Sequence, residues 1–517
     1  MDKIQKTIFE GAIPCELSGE FILPDTYPDV KKILRVRARP VQIGQYIGGG
    51  GFEFNGAVDY IVVFSADGDP VETLHSVHFA SDYKGGVSPE GIGEKTTVVC
   101  EPRISAVTAR LSNPRKISLR STVTTDVKLL CEASTKPKVE PDPDAPLEKL
   151  TETTPTLVEY SFLADHVKLS ENLEPDPSQP AIDAIITCDA EINFHEVKPQ
   201  KSDEGLSASI KGEAVIDCVY KAQTEPGDYR SFTRKIPLSL VVGADEYAGL
   251  FEGAVPGTLI MSAAGVPTEI NASVGENSYG ERRVLELDLA FDVNLTLYAE
   301  NETTLTLDAY SVDRDSECGS ERLDIIRLGK QIFSNFSVNE SVGREEVGIA
   351  DPERQWIVVD SQADVVIDSA RIERGRAQMS GTATVSAIIA SEHEFAPLDF
   401  KVPVKCELGV GELREPIAFA CESGACDLRV RIDGTRVSCD FEVTLSAVFF
   451  GLSRRDVVGS VTLSGEKITR SDDPSEIVLC YPAEGEGLWQ VAKRYKSTMA
   501  ALEAANPGSD GKVIKIM

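Results

Sequence analysis

The segment FNGAVDYIVVF, residues 54–64, carries a glycine at its third position and then alternates small or polar residues with branched and aromatic ones. The same arrangement recurs as IKGEAVIDCVY at 210–220 and as MSGTATVSAII at 379–389. Alternation with a period of two predicts strands with one buried and one exposed face. A glycine near the start of a strand permits a bulge or a close backbone approach that a Cβ would block.

The strands around each glycine segment repeat as well. An alternating run precedes each segment, a second strand follows it after a short polar loop, and a closing strand comes later. The preceding runs are 33–43, 185–197 and 357–372, the second strands 71–83, 229–242 and 395–408, and the closing strands 115–129, 283–298 and 436–450. We therefore expect a mainly β chain built from three tandem, homologous, antiparallel β-sandwich-like repeats.

Proline-rich and polar stretches set the expected borders of these repeats. The first repeat is predicted at 1–131, the second at 157–311 and the third at 341–470. Residues 132–156 contain five prolines among charged residues, which predicts a stiff, solvated acidic linker. Residues 312–340 are predicted to form a connecting segment with a helix around 321–333. The length of 517 residues agrees with three to four folding units at roughly 100–200 residues each.

The last segment, 477–517, has a different pattern. It predicts a strand at 477–481, a helix at 488–495 with its apolar residues on one face, a second helix at 499–505 and a strand at 513–516. A βααβ module of this size has a very small core. Trp489 either fills that core or anchors a partner, and both interpretations remain open. The cations Lys493, Arg494 and Lys496 either steer the module toward an acidic partner or form a solvated helix face.

Composition limits the classes of function. The chain has 83 acidic and 52 basic residues and a net charge of -31, which argues against nucleic acid or an anionic membrane as partner. No apolar run approaches about 18 residues, so we expect no transmembrane segment, and the N-terminal residues suggest no secretory signal. The 11 scattered cysteines are typical of reduced thiols in a cytoplasmic protein.

Motifs for chemistry are weak. The run Gly48–Gly51 lacks the Lys-Ser/Thr that a phosphate loop requires, and His75 and His78 should lie on opposite faces of a strand. Cys421 and Cys426 have no second pair and no nearby histidine, and no Gly-x-Ser-x-Gly elbow occurs. We therefore expect no catalytic residue, no metal and no cofactor, and a protein that is not an enzyme.

The C-terminal segment resembles the LysM family. GEGLWQVAKRY at 485–495, followed by Leu502 and Asn506-Pro507, is similar to the family pattern Gly-Asp-Thr-Leu-Trp-x-Ile-Ala-x-x-Tyr and then Leu-x-x-x-Asn-Pro. LysM modules commonly bind N-acetylglucosamine glycans between their first and last loops, and both loops depart from the pattern here. The resemblance implies that partner or glycan binding involves Gly485, Glu486, Gly487, Leu488, Trp489, Arg494, Asn506 and Pro507.

The repeats resemble the SPOCS family of spore-forming Firmicutes. FILPDTYPDVKKIL at 21–34 is similar to the opening of a SPOCS repeat, and Asp308-Ala309-Tyr310-Ser311 is similar to the inter-repeat signature. SPOCS repeats followed by one LysM module resemble clostridial spore-coat morphogenetic proteins.

This combined resemblance implies a non-enzymatic assembly protein of the spore coat. Such a protein lies in the mother-cell cytoplasm at the forespore surface, where its LysM module binds the coat-basement ATPase SpoIVA. The alternative is a cell-wall protein that binds peptidoglycan or N-acetylglucosamine glycans. The LysM pattern favours this alternative, and the expected lack of an export signal opposes it.

Overall fold

The fold is mainly β, and its main sheets are antiparallel. A computed structural model describes residues 3–68, 71–93, 95–202, 205–251, 254–349, 354–392, 394–414, 416–468, 478–483, 485–507 and 513–516. Within these ranges the strands form three successive units, followed by a small C-terminal module. The predicted mainly β, antiparallel architecture is confirmed.

The first unit consists of six strands among the described residues. They are β1 (Lys3–Ile22), β2 (Lys32–Gly48), β3 (Gly51–Ala66), β4 (Thr73–Val87), β5 (Thr97–Asn113) and β6 (Lys116–Ser134). The middle strands form a sheet of order β2-β3-β4, and the others form a sheet of order β1-β6-β5. The chain therefore enters on one sheet, completes a three-stranded meander on the other, and returns to close beside its own first strand.

The second and third units repeat this order after a short strand β7 (Lys138–Glu140). The second contains β8 (Leu147–Leu173), β9 (Ile182–Ser202), β10 (Gly205–Ala222), β11 (Tyr229–Gly243), β12 (Ile260–Gly275) and β13 (Val284–Ser311). The third contains β14 (Asp315–Gly343), β15 (Ile357–Glu373), β16 (Arg376–Ser391), β17 (Glu394–Gly409), β18 (Ile417–Asp433) and β19 (Arg436–Ser464). In the second unit β9 and β12 also pair, which joins its two sheets into one of six strands.

Each unit buries the apolar faces of its two halves against each other. In the first unit Val62 and Phe64 of β3 pack in the same buried cluster as Leu119 and Leu129 of β6. Removing this apolar surface from water is the main stabilising contribution to such a core. The alternation of the sequence thus becomes one face in the core and one face toward solvent or a neighbouring unit.

The repeated glycine sits where two backbones approach closely. A Cβ on it would lie against a carbonyl oxygen of the preceding strand, at 2.4 Å from Val41 O for Gly56, 2.3 Å from Asn193 O for Gly212 and 2.1 Å from Val366 O for Gly381. In each unit the register of that preceding strand shifts by one residue at this point, as a β-bulge does. The expected bulge and close approach are confirmed.

The three units contact one another in a cycle. β4 contacts β9, β11 contacts β15, and β17 contacts β2. A second bulge in the first strand of each meander places one apolar residue per unit at the centre: Leu34, Ile186 and Val359. These side chains belong to a single cluster with residues of all three meanders. Because equivalent positions meet there, the units form a closed ring of approximate three-fold symmetry.

Four long strands continue beyond the ring and form an arm together with the short strand β7. The arm comprises residues 147–157 of β8 with 300–311 of β13, residues 315–327 of β14 with 451–464 of β19, and β7, which pairs in parallel with β19. Apolar side chains from the two ribbons pack together, including Leu305 with Leu323 and Ala309 with Val461. The arm thus has its own small core outside the sandwiches.

Two predictions about the segments that form the arm are wrong. Residues 132–156 are not a solvated linker, because β6 extends to Ser134, β7 and β8 occupy part of the range, and Val139 and Ala145 pack against the arm. The helix predicted in the 312–340 segment, around 321–333, is also wrong, since β14 pairs with β19 along this stretch. Leu323 and Ile325 are buried at a spacing of two, so partner-strand pairing overrides the local helical pattern. The border predicted near residues 469–477 lies outside the described residues.

The C-terminal module contains β20 (Val478–Cys480), α1 (Leu488–Tyr495), α2 (Met499–Ala505) and β21 (Ile514–Ile516), with β20 and β21 antiparallel. The predicted order of strand, helix, helix and strand is confirmed. Its core is small and is formed by Cys480, Val491, Ala492, Leu502, Ile514 and Ile516. No helix among the described residues is long and apolar enough to span a bilayer.

The close approach at Gly381 generates a stability prediction. Gly381→Ala should destabilise the third unit by about 2 kcal/mol or more, because its Cβ would collide with backbone that cannot rotate away. Gly409→Ala is the matched control, since a Cβ there meets nothing within 4 Å, and it should change stability by less than about 0.5 kcal/mol. Urea unfolding followed by Trp356 emission in a Trp489→Phe background measures both, and equal shifts would contradict the bulge argument.

Candidate functional site

The residues predicted from the LysM pattern lie in and around α1 and α2, and most are bound within the module itself. Gly485 adopts a φ of 84°, a left-handed conformation suited to glycine. Gly487 precedes α1, and its N–H donates to Gln490 Oε1 at 3.0 Å. Leu488 packs against the module core. These residues shape the turn into α1.

Glu486 and Arg494 form an ion pair with each other. Glu486 Oε2 also accepts a hydrogen bond from the Ala483 N–H at 2.9 Å, so its carboxylate closes the loop before α1. Its side chain is only 14% exposed. This arrangement gives the two predicted binding residues an internal, structural role.

Asn506 joins α2 to β21. Its Nδ2 donates to Leu502 O at 2.8 Å and to Lys515 O at 2.7 Å, while its Oδ1 accepts from the Lys515 N–H at 2.7 Å. The amide is therefore used in holding the module together. Pro507 follows on the surface, and residues 508–512 of the last loop lie outside the described residues.

Trp489 makes the contact that seats the module on the arm. Its Nε1 donates to Asp308 Oδ2 at 2.8 Å, and its ring meets the ring of Tyr310 edge-on at a centroid distance of 5.0 Å. Tyr310 in turn donates its hydroxyl to Ser497 O at 2.6 Å. Since Trp489 also packs against the module core, it serves both as a core residue and as a contact residue, and that contact is with the same chain.

Ion pairs also stabilise the contact between the module and the arm. Lys493 Nζ lies 2.6 Å from Asp308 Oδ1, and Lys496 pairs with Asp315 of β14. Burial by itself would raise the pKa of Asp308, but the hydrogen bonds from Lys493 and Trp489 outweigh it and hold the pKa below its ordinary value. The Asp308 carboxylate is therefore ionised at neutral pH. Of the three cations predicted either to steer the module toward an acidic partner or to form a solvated helix face, Lys493 and Lys496 contact acidic residues of the arm.

A second polar feature, which our sequence reasoning missed, lies at the centre of the ring. Arg35, Arg37 and Arg39 alternate along β2, so they share one face of that strand. Arg35 Nη2 lies 2.5 Å from Asp360 Oδ2 of the third unit, and both side chains are less than one-tenth exposed. Arg37 and Arg39 each contact one oxygen of Asp189 in the second unit.

Aligning the three repeats would have exposed this feature. By strand register, Arg37 and Asp189 occupy equivalent positions of β2 and β9, and Arg35 and Asp360 are equivalent in β2 and β15. Basic residues in one copy thus correspond to acidic residues in the others. Such a charge exchange at one repeat position indicates that the copies pair with one another.

Carboxyl groups outnumber the arginines along this axis. Burial, together with Asp364, Asp217 and Asp189, raises the pKa of Glu191 to about 8 against the opposing effect of Arg37. Protonation of Glu191 lowers the electrostatic repulsion between the units at this point.

One further cluster has metal-ligating types of residue. Among the described residues, ligand atoms of Cys426, Asp427 and Glu442 lie within 4.8 Å of one another. Lys235 Nζ lies 2.6 Å from Asp427 Oδ2, so an ammonium already supplies positive charge there. Cys421, the other cysteine of the weak sequence signal, lies outside the cluster and approaches the Ile367 carbonyl instead.

The axial ion pair generates a prediction for stability. Arg35→Met should destabilise the ring by about 3–5 kcal/mol, because it leaves the Asp360 carboxylate buried without its cation. Arg454→Met is the control, since the Arg454–Asp324 pair is more than two-thirds exposed and should contribute at most about 1 kcal/mol. Chemical denaturation measures both. Adding Asp360→Leu to Arg35→Met should restore most of the loss, and no restoration would contradict the pairing.

The raised pKa of Glu191 predicts a dependence of stability on pH. The folded chain keeps this proton up to about pH 8, whereas an unfolded glutamic acid releases it near 4.5. The unfolding free energy should therefore fall as pH rises from 5 to 8, by up to about 1.4 kcal/mol per pH unit, and then level off. Denaturation at pH 5.5, 7 and 8.5 measures the slope. Glu191→Gln should flatten it, the exposed Glu317→Gln should not, and equal slopes for both variants would argue against burial of this group.

Comparison with known proteins assigns no family to this arrangement. No family model, no curated protein and no solved structure matches the chain. Three features of the chain itself bear on its function: the closed ring of three units, the charges along the ring axis, and the C-terminal module packed on the arm.

Proposed function

We propose that the chain is a non-catalytic assembly protein of the spore coat, similar to the clostridial morphogenetic protein SipL. The ring and arm act as a scaffold that presents the C-terminal module to another protein, SpoIVA, at the forespore surface in the mother-cell cytoplasm. The observation that carries this proposal is the seat of the module on the arm, through Asp308 and Tyr310. A module fixed in this way is displayed by the scaffold.

The ring supports a structural role. Three of its buried charged groups, Arg35, Asp189 and Asp360, are paired across units, so their charges hold the units together. Catalytic groups instead need a free face toward a substrate. The axial arrangement suits cohesion of the scaffold.

The exposed part of the module supports a binding role. Val478 and Leu479 of β20 are 44% and 57% exposed, and Tyr481 just after the strand is 71% exposed. Neighbouring apolar side chains at the surface are typical of protein contact sites. These residues lie on the first strand and the loop that follows it, on a module whose α1 contacts the arm.

The second candidate is the cell-wall protein that binds N-acetylglucosamine glycans. The confirmed βααβ order and the exposed Tyr481 beside the first loop favour it, because aromatic rings commonly stack on apolar ligand faces. Both candidates use the same module. They differ in the ligand that it binds.

Capture experiments with the full chain test the proposal. The immobilised chain should retain SpoIVA and should not retain N-acetylglucosamine hexamer. Leu502→Asp should abolish SpoIVA capture, because it places a charge in the module core where Leu502 is 1% exposed. Leu163→Asp is the matched control: this leucine is 58% exposed on the ring, and capture should persist.

Two outcomes would contradict the proposal. Binding of the hexamer without capture of SpoIVA would favour the glycan candidate. Undiminished capture of SpoIVA by Leu502→Asp would show that the module is not the docking element.

A further inference from the structure

The end of β13 in the arm packs against the surface of the C-terminal module as a bound peptide would. Asp308 and Tyr310 are two residues apart on β13, so both side chains point to the same side of the strand, toward the module. Trp489 and Lys493 are four residues apart on α1 and therefore share one face of that helix. Asp308 and Tyr310 of the strand thus face Trp489 and Lys493 of the helix.

The contacts with Asp308 are specific for its ionised carboxylate. Trp489 Nε1 and Lys493 Nζ each bind one oxygen of the same carboxylate, at 2.8 and 2.6 Å. An indole N–H and an ammonium placed in this way select an ionised carboxylate over an amide or an apolar group. Asp308 also accepts from the N–H of Ala309, which fixes its orientation on the strand.

The tyrosine is recognised by ring and hydroxyl together. The Tyr310 ring packs edge-on against the Trp489 indole at 5.0 Å, and its hydroxyl donates to the Ser497 carbonyl at 2.6 Å. Phenylalanine would keep the ring contact and leave that buried carbonyl without this donor. The surface therefore discriminates an Asp-x-Tyr segment at both of its defining positions.

We propose that this face of the module is a recognition site for Asp-x-Tyr segments. The arm occupies it within the chain, and the same motif on a second protein can take the arm's place. The ionic part of this contact is partly exposed, with Lys493 40% and Asp308 28% accessible, whereas Tyr310 and its bond to Ser497 are buried. Exposed ionic contacts of this kind are individually weak and open readily.

The chain length permits such an exchange. The Ile468 N–H donates to Asp313 O, and β20 begins at Val478, so the nine residues between them can span up to about 30 Å when extended. The module can therefore leave the arm without unfolding the ring. A segment tethered in this way has an effective concentration on the order of millimolar, so a competing segment must bind more tightly or be held nearby.

A peptide with the sequence of residues 303–313, TTLTLDAYSVD, carries the motif and serves as the probe. In the full chain, Asp308→Ala with Tyr310→Ala should vacate the site. Fluorescence polarisation should then show that the labelled peptide binds this open chain at least about tenfold more tightly than the wild type, whose site is occupied. Peptides with alanine in place of the motif's aspartate or tyrosine should not bind.

A charge-reversal experiment tests whether Lys493 recognises the aspartate of the peptide or only supports the fold of the module. Lys493→Glu in the open chain alters a side chain that is 40% exposed, and it should abolish binding of the peptide. A peptide with lysine in place of the aspartate should bind this variant and not the open chain. Equal binding of the original peptide with and without Lys493→Glu, or no binding to a folded open chain, would overturn the proposal.

A milder variant gives a second measurement if the double substitution unfolds the module. Tyr310→Phe removes only the bond to Ser497 and should loosen the arm, so the peptide should bind roughly fivefold more tightly than it binds the wild type. Equal binding to both chains would overturn the proposal. The site itself does not depend on the proposed partner.

The link to SpoIVA does rest on the proposed function, and it has its own test. The peptide should displace SpoIVA from the full chain if SpoIVA uses an Asp-x-Tyr segment. Peptide binding without any SpoIVA capture would overturn the proposed partner and would support the recognition site.

Discussion

Arg35, Arg37 and Arg39 lie on one face of β2 and meet carboxylates of the other two units at the centre of the ring. All three arginines belong to the first unit, while Asp189 and Asp360 belong to the second and third. A buried charge requires its partner, because an uncompensated ion in the interior is strongly destabilising. Charge therefore favours a ring of three different units, because three copies of any one unit would bring like charges together.

Two backbone features allow that centre to form. The bulge opposite the recurring glycine of each unit, such as Gly381, bends the first strand of the meander. The second bulge in that strand turns Leu34, Ile186 and Val359 toward the axis. The long strands β13 and β19 then leave the ring and pair in the arm, outside the sandwiches. The position of the C-terminal module thus follows from the same strands that close the second and third units.

The contact between the arm and the C-terminal module involves both the scaffold and the proposed binding site. Asp308 and Tyr310 lie at the end of β13, and both contact Trp489 on the surface of α1. A scaffold that occupies its own recognition surface can hold the module in one orientation until a competing segment displaces it. The proposed assembly role and the proposed recognition of Asp-x-Tyr therefore use the same few side chains, although each can be tested alone.

The sequence by itself determined the strands, the glycine bulges and the strand–helix–helix–strand order of the tail, because these depend on periodicity, backbone sterics and spacing within a short stretch of chain. It also singled out Trp489, either as a core residue of the module or as a contact residue. It did not determine the arm, since the local pattern of residues 321–333 favours a helix and only pairing with β19 makes it a strand. Nor did it determine that Arg35 meets Asp360, or that Trp489 meets Asp308. These partners are more than 150 residues apart in the chain, and only the closure of the ring and the packing of the arm bring them within hydrogen-bonding distance.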